Sequence, residues 1–356
     1  MISNVLPIVA LAGAAMATCP LSLEITGTTD HVATVAVTNT GSEAVTVFKG
    51  NTVLSEHNTM DLLVADAAGA ALPFEGVYVN YKKSDLSASS YQTLKPGETV
   101  TAEVNAAKTY KLAGIQSAAV TAIQGFKYVM GESIPFALKD MDTEACAAVT
   151  SNTVNITPDQ SVVADEHISK RDISAAPNSR IGKRSVTYSG CSSSRQSLLQ
   201  TSVSHTITMA NAAYTAAGTG ADYFTTWFKS TSQESKVRSI YTSVAGVQST
   251  SPRISCTDTY GDCSGGDALL YTVPSAKVIV PCPNNGFWGF PEYASTCADD
   301  DYDRAGSILH EVTHLYGTDD YAYGPAAAKA LSASQAAANA DTYEMYAGSV
   351  RLGGCN

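Results

Sequence analysis

The pentapeptide His310-Glu311-Val312-Thr313-His314 restricts the local fold more than any other stretch of this 356-residue chain. Two histidines four residues apart lie on one face and within reach of each other when the backbone between them is helical. The flanks agree. Asp299, Asp300, Asp301 and Asp303 precede the segment, where acids favour a helix N-terminus, and Gly317 supplies a stop just beyond it.

On such a helix the two imidazoles can reach one divalent metal, and Glu311 can take a proton from water without binding the metal itself. H-E-x-x-H at this spacing is the pattern of zinc peptidases, and one Zn²⁺ per chain is the expected cofactor. The bland alternative is an amphipathic helix with two surface histidines. Against it, the part of the chain after residue 184 has histidines only at 205, 310 and 314.

A third protein ligand is needed, and Asp319, Asp320 and His205 compete for the place. The spacing H-E-x-x-H-x-x-G-x-x-H of metzincins puts Gly317 on its glycine and Asp320 where its last histidine falls, so spacing alone allows a metzincin with Asp as ligand. That reading also needs a tight methionine turn. Met345 is the one methionine after the motif, and its segment reads as helix. His205, far upstream, reads as an exposed or capping residue on a helix. The acid run Asp299–Asp301 reads as a solvated helix start rather than a Ca²⁺ site.

Charge and targeting signals bound the setting. A formal net charge of −11 argues against nucleic acid as a partner. The apolar run from Val5 to Met16 is too short to span a bilayer, and Ala15-Met16-Ala17 fits a signal-cleavage site, although no basic residue precedes the run. Residues 1–17 are therefore expected to be a secretory signal, and the protein to be extracellular, with no membrane segment. Eight cysteines suit that compartment: Cys19, Cys146, Cys191, Cys256, Cys263, Cys282, Cys297 and Cys355.

Lys183-Arg184 divides the chain. It lies in a polar stretch with Pro and Gly and no hydrophobic period, as an exposed linker would, and a dibasic pair there suits a processing protease of the secretory pathway. Lys170-Arg171 lies in the same linker, whereas Lys82-Lys83 reads as surface. Two cysteines fall before the cut and six after, so each part can close its own bridges. Residues 18–184 are expected to be a propeptide and 185–356 the mature domain.

Residues 18–184 read as β, because "LSLEITGTTDHVATVAVTNTGSEAVTVFKG", "LKPGETVTAEVNA" and "TYKLAGI" carry short Val/Thr/Ile-rich runs broken by turn residues. The expectation is an all-β, immunoglobulin-like sandwich ending in a disordered linker, with no catalytic cluster. The mature part opens with a helix around "SRQSLLQTSVSHTITMANAAYTAA", and a second helical stretch runs from Phe224, Trp227 and Phe228 towards Val247. "RISCTD", "ALLYTVPS" and "KVIVPCP" read as short strands, and the end returns to helix. This gives an α+β domain, mainly helical with a small sheet.

"HEVTH" followed by "GTDDYAYG" resembles the deuterolysin family of zinc metalloendopeptidases, the aspzincins, whose pattern is H-E-x-x-H then G-T-x-D-x-x-Y-G. The similarity runs on through "PAAAKALS" and "NADTYEMYA" to Cys355, although the step from His314 to Gly317 is shorter than in many members. The resemblance implies a zincin-like catalytic domain with His310, His314 and Asp320 as ligands, Glu311 as general base and Tyr323 as a hydrogen-bond donor to the transition state. It also implies the pairings Cys191–Cys256, Cys263–Cys282 and Cys297–Cys355. "GTDDYAYG" with "AAAK" and "NADxxE" looks most like the peptidyl-lysine members. There, acids at the places of Asp341 and Glu344 line the pocket for the residue after the cut bond, which implies a preference for Lys at P1′. Alternatively, Asp341 accepts a hydrogen bond from a ligand histidine. Expected partners are protein or peptide substrates, basic ones foremost, the chain's own propeptide, and a dibasic-site processing protease; the chain is expected to act as a monomer. A catalytically silent binding protein on the same scaffold is the alternative from another class, and the intact Glu311 argues against it.

Overall fold

The computed structural model describes residues 19–141, 146, 148–168, 185–219, 223–296, 298 and 301–355. The expected signal segment, Lys170-Arg171, Lys183, Arg184, Cys297, Asp299 and Asp300 lie outside the described residues.

The upstream part is built from strands. Leu21–Thr29, Val32–Asn39 and Thr99–Asn105 form one antiparallel sheet; Val149–Ile156, Ala118–Gln124 and Leu62–Asp66 form a second; Tyr91–Leu94, Val45–Phe48 and Tyr128–Met130 form a third. Period-two alternation explains the facing. Leu21, Leu23 and Ile25 are buried while Ser22, Glu24 and Thr26 are exposed. Val35, Val37, Val45, Val47, Leu62, Val64, Val120 and Tyr128 from all three sheets share one apolar core, and the Cys19–Cys146 disulfide lies beside it. The stretch Thr109–Ile115, read as a strand, is not one. The Asn105 side chain caps a short helix, Ala106–Thr109, by accepting from the Ala107 amide, and Gly114 at φ 83° turns the chain after it.

The downstream part is α+β. Its long helix, Ser193–Gly218, starts where the Ser192 side chain accepts from the Arg195 amide. The helical stretch expected from Phe224 to Val247 is broken into Tyr223–Phe228, Glu234–Ala245 and Val247–Thr250, with a left-handed Lys229 (φ 64°) after the first. Phe224, Trp227 and Phe228 pack with Tyr241, Tyr343 and Tyr346 in the helical core. Helices Arg304–His314 and Ala340–Leu352 complete this layer.

The sheet of this part runs Thr187–Ser189, Arg253–Ser255, Val278–Pro281, Ala268–Val273. The first two pairings are parallel and the third antiparallel. Its edge does not end there. Tyr78–Tyr81, from the upstream part, pairs antiparallel with Ala268–Val273 as a fifth strand. The two parts on either side of the linker are thus joined through one sheet, which composition and the linker position did not foretell. Lys82-Lys83, read as surface, continues from this strand. Lys83 is buried, and Lys82 lies 3.7 Å from Asp267.

Disulfides Cys191–Cys256 and Cys263–Cys282 lie within the downstream part, and Cys355 is also disulfide-bonded. No helix among the described residues is long and apolar enough to cross a membrane.

Candidate active site

The helix Arg304–His314 is set by its cap and its apolar face. The Asp303 side chain accepts from the Gly306 amide at the N-terminus, and Ala305, Ile308, Leu309 and Val312 are buried in the core. His310, Glu311 and His314 are buried as well. After a turn through Gly317 (φ 88°), the chain folds back so that Asp320 meets both histidines.

Asp320 Oδ1 lies 3.2 Å from His310 Nε2 and 3.4 Å from His314 Nε2. None of these atoms, nor Asp320 Oδ2, has a hydrogen-bond partner, although all are buried. Leaving a buried polar atom unpaired costs about 1–3 kcal/mol, so this many in one place calls for a ligand. Atoms bonded to zinc at about 2.0–2.1 Å in a tetrahedron lie about 3.3 Å apart, which is the spacing found. The donor set therefore fits a zinc ion, which His310, His314 and Asp320 could hold. Burial would raise the Asp320 carboxyl, but the two imidazoles hold it well below the usual carboxylate range, in the ionised form a metal needs.

Asp319, the other carboxylate of the pair, faces away. It accepts from the Tyr78 hydroxyl at 2.6 Å and from the Tyr321 hydroxyl at 3.2 Å. His205 lies elsewhere as well. It is half-exposed on the long helix, stacked on Tyr293, with Nδ1 3.0 Å from Glu292. Asp301 accepts from the amides and hydroxyls of Ser295 and Thr296. Met345 lies on the helix Ala340–Leu352, so the tight methionine turn required by the metzincin reading is not there.

Four further residues, Thr318, Glu344, Asp341 and Asn339, hold the histidines and the loop. His314 Nδ1 lies 3.0 Å from the Thr318 carbonyl, which directs Nε2 to the ligand side. His310 Nδ1 lies 3.4 Å from Glu344 Oε2 and 3.9 Å from Asp341 Oδ1. Asp341 Oδ2 accepts from the Gly324 amide at 2.7 Å. Asp341 and Glu344 thus stand behind His310, on the side away from Asp320. Burial raises Asp341 to about 6, with Lys83 opposing and Glu344 adding to the shift. Asn339 fastens the ligand loop, with Oδ1 accepting from the amides of Tyr321 and Ala322 and Nδ2 donating to the Ala322 carbonyl and to Thr342.

Glu311 is held on one oxygen only. Thr272 Oγ1 donates to Oε2 at 2.6 Å, while Oε1 has no partner. Burial raises this carboxyl to about 7, against the pull of both imidazoles and Thr272. Tyr323 is kept protonated, first by burial and then by Asp320. Its hydroxyl donates to the Val79 carbonyl at 3.1 Å and accepts from Asn51 Nδ2 at 2.6 Å.

Sequence reading missed Thr272, Asn339 and every upstream contributor: Asn51, Tyr78, Val79 and Lys83. Thr272 carried a faint signal, a small polar side chain in the otherwise apolar and aromatic strand Ala268–Val273, all of it buried. The upstream residues carried none, because strand pairing across nearly two hundred residues leaves no local pattern.

A family model described as lysine-specific metallo-endopeptidase matches residues 213–348. A neutral protease 2 homolog of Phaeosphaeria nodorum is 34% identical, covering 94% of this chain and 91% of its own. One from Botryotinia fuckeliana is 33% identical over 80% and 78%, and one from Aspergillus oryzae 33% over 89% and 86%. Fold and site define a zinc metalloendopeptidase. The chain belongs to the deuterolysin, or aspzincin, family, and zinc is its cofactor.

Proposed function

We propose that the protein is an exported endopeptidase made as a zymogen, in which His310, His314 and Asp320 hold the zinc, Glu311 is the general base and Tyr323 the oxyanion donor. The observation that carries this is the meeting of His310 Nε2, His314 Nε2 and Asp320 Oδ1, all unpaired and buried, beside the unpaired Glu311 Oε1. Bound there, zinc supplies a Lewis acid that polarises a peptide carbonyl and acidifies water. Glu311 takes the proton of the attacking water at Oε1 and returns it to the leaving amine. Thr272 fixes the other oxygen throughout. Tyr323 donates to the carbonyl oxygen as charge develops on it.

Residues 1–17 are read as the export signal, 18–184 as an immunoglobulin-like propeptide, and 185–356 as the enzyme, released by a dibasic-site protease at Lys183-Arg184 and acting as a monomer. The disulfides support export. For Asp341 and Glu344 the resemblance carries over a preference for Lys at P1′, Lys83 being a cation whose charge bears on Asp341.

Matched peptides with Lys, Leu or Glu at P1′ test the reading. Chelator-sensitive cleavage, strongest before Lys and abolished by Glu311→Gln with zinc retained, is expected. Equal cleavage of all three sinks the specificity; full activity of Glu311→Gln sinks the mechanism. N-terminal sequencing of secreted protein should give a start at Ser185.

A further inference from the structure

Resting on the peptidase reading above, we propose that the segment Tyr78–Lys83 is a resident strand lying in the enzyme's own peptide-binding cleft, and that it keeps the upstream part on the site after the linker is cut. The edge of Ala268–Val273 is the sheet edge nearest the site, since Thr272 on that strand holds Glu311. An exposed edge beside a catalytic group binds an extended peptide by main-chain pairing. That place is taken. Tyr78 lies opposite Thr272, Val79 opposite Tyr271 and Asn80 opposite Leu270.

The side chains of this strand reach the groups proposed to do the chemistry. The Tyr78 ring stacks on His314, centroids 4.1 Å apart and planes 4° from parallel. Its hydroxyl holds Asp319, the neighbour of the third ligand. The Val79 carbonyl takes the Tyr323 hydroxyl, the bond a substrate carbonyl would need, and Asn51 covers the same hydroxyl from the other side. Lys83 is buried and bears on Asp341. A cavity of about 320 Å³ remains beside the strand, lined by Asn51, Tyr81, Lys127, Asp320, Tyr323 and Leu331. No extended peptide can pair with this edge while Tyr78–Tyr81 occupies it.

Retention follows from what does and does not tie the parts together. The covering strand lies about a hundred residues before the linker, and none of the three described disulfides crosses between the parts. The joint is non-covalent and broad. His57 lies 3.1 Å from Asp262, Lys82 pairs with Asp267, and Ser87 and Ser90 donate to the same Asp267 carboxylate. Cutting the linker removes none of these contacts. Activation then takes two steps, a cut and a departure, and the departing part competes with substrate.

The test uses zinc-loaded full chain, intact or cut in the linker, and a fluorogenic peptide. After the cut the two fragments should co-elute on gel filtration, with turnover at least about tenfold below that reached once the upstream fragment is diluted away or digested. Tyr78→Ala and Asn51→Ala should raise turnover of the cut complex. Should these variants misfold, amide exchange in wild type decides: residues 268–273 should stay protected in the cut complex and exchange faster after release. Fragments that part at once on cutting, or a co-eluting complex that is fully active, would overturn the proposal. A released, zinc-bound downstream part without activity would instead overturn the peptidase reading, while co-elution and exchange still report on the strand.

Discussion

Thr272 Oγ1 donates to Glu311 Oε2 at 2.6 Å, tying the sheet's Ala268–Val273 strand to the helix that carries both histidines. The bond engages one carboxylate oxygen and leaves the other, Oε1, without a partner, as the proposed proton transfer requires. Thr272→Val keeps the shape and removes the donor. It should lower kcat about 10- to 100-fold with little change in KM, as loss of a supporting hydrogen bond does. Zinc content should stay full, and Thr272→Ser should restore most of the rate. Steady-state kinetics with metal analysis checks this; an unchanged kcat in Thr272→Val would show that Glu311 needs no anchor.

The ligand geometry predicts a split between metal loss and rate loss. His310→Ala and Asp320→Ala should lose zinc and activity together, since a three-ligand site cannot spare a donor. Glu311→Gln should keep zinc and lose turnover. His205→Ala should change neither, because that residue pairs with Glu292 on the long helix, away from the ligand cluster. Zinc-to-protein ratios after dialysis decide the matter, and full occupancy in Asp320→Ala would refute the ligand assignment.

Asn339 holds the loop that carries Asp320 through three hydrogen bonds, two from the amides of Tyr321 and Ala322 to its side-chain oxygen and one from its side-chain nitrogen to the Ala322 carbonyl, while a fourth, to Thr342, fixes the side chain on its own helix. It is fully buried. Asn339→Ala frees the loop and orphans those groups. Zinc affinity should fall about 10- to 100-fold, with His310 and His314 intact. Competition with a metal-binding dye measures it, and wild-type affinity would mean that the turn at Gly317 places Asp320 unaided.

What could be read in advance divides along a physical line. The histidine helix was legible because helix period and capping are local; it was found at Arg304–His314 with Asp303 as its cap, ending three residues before Gly317. The β character of residues 21–48 was legible from alternation. "TYKLAGI" misled because its composition suits a strand, whereas the Asn105 cap and the Gly114 turn dictate otherwise. Residue types alone left Asp319 and Asp320 both open, and only the resemblance carried by "GTDDYAYG" pointed to Asp320; in the fold Tyr78, some 240 residues away, holds Asp319 on its own side. The fifth strand of the downstream sheet and the burial of Lys83 belong to the same class. They are set by pairing between distant segments.

Asp61 ties stability of the upstream part to pH. It is buried with the Thr59 hydroxyl as donor to Oδ1, and burial raises its pKa from 3.8 to about 7, the Thr59 bond opposing. Between those values the folded chain holds a proton that the unfolded chain has released. Stability due to this group is therefore full at acid pH, falls as pH rises from about 4 to about 7, and is flat above. The loss at pH 8 is on the order of 1–4 kcal/mol. Asp61→Asn removes the titration, so it should stabilise the upstream part at pH 8 and flatten the slope between pH 5 and 8. Urea unfolding of the full chain at pH 5 and pH 8, followed by amide exchange in the upstream strands, measures both quantities. If wild type and Asp61→Asn show the same difference between the two pH values, the carboxyl is not the group responsible.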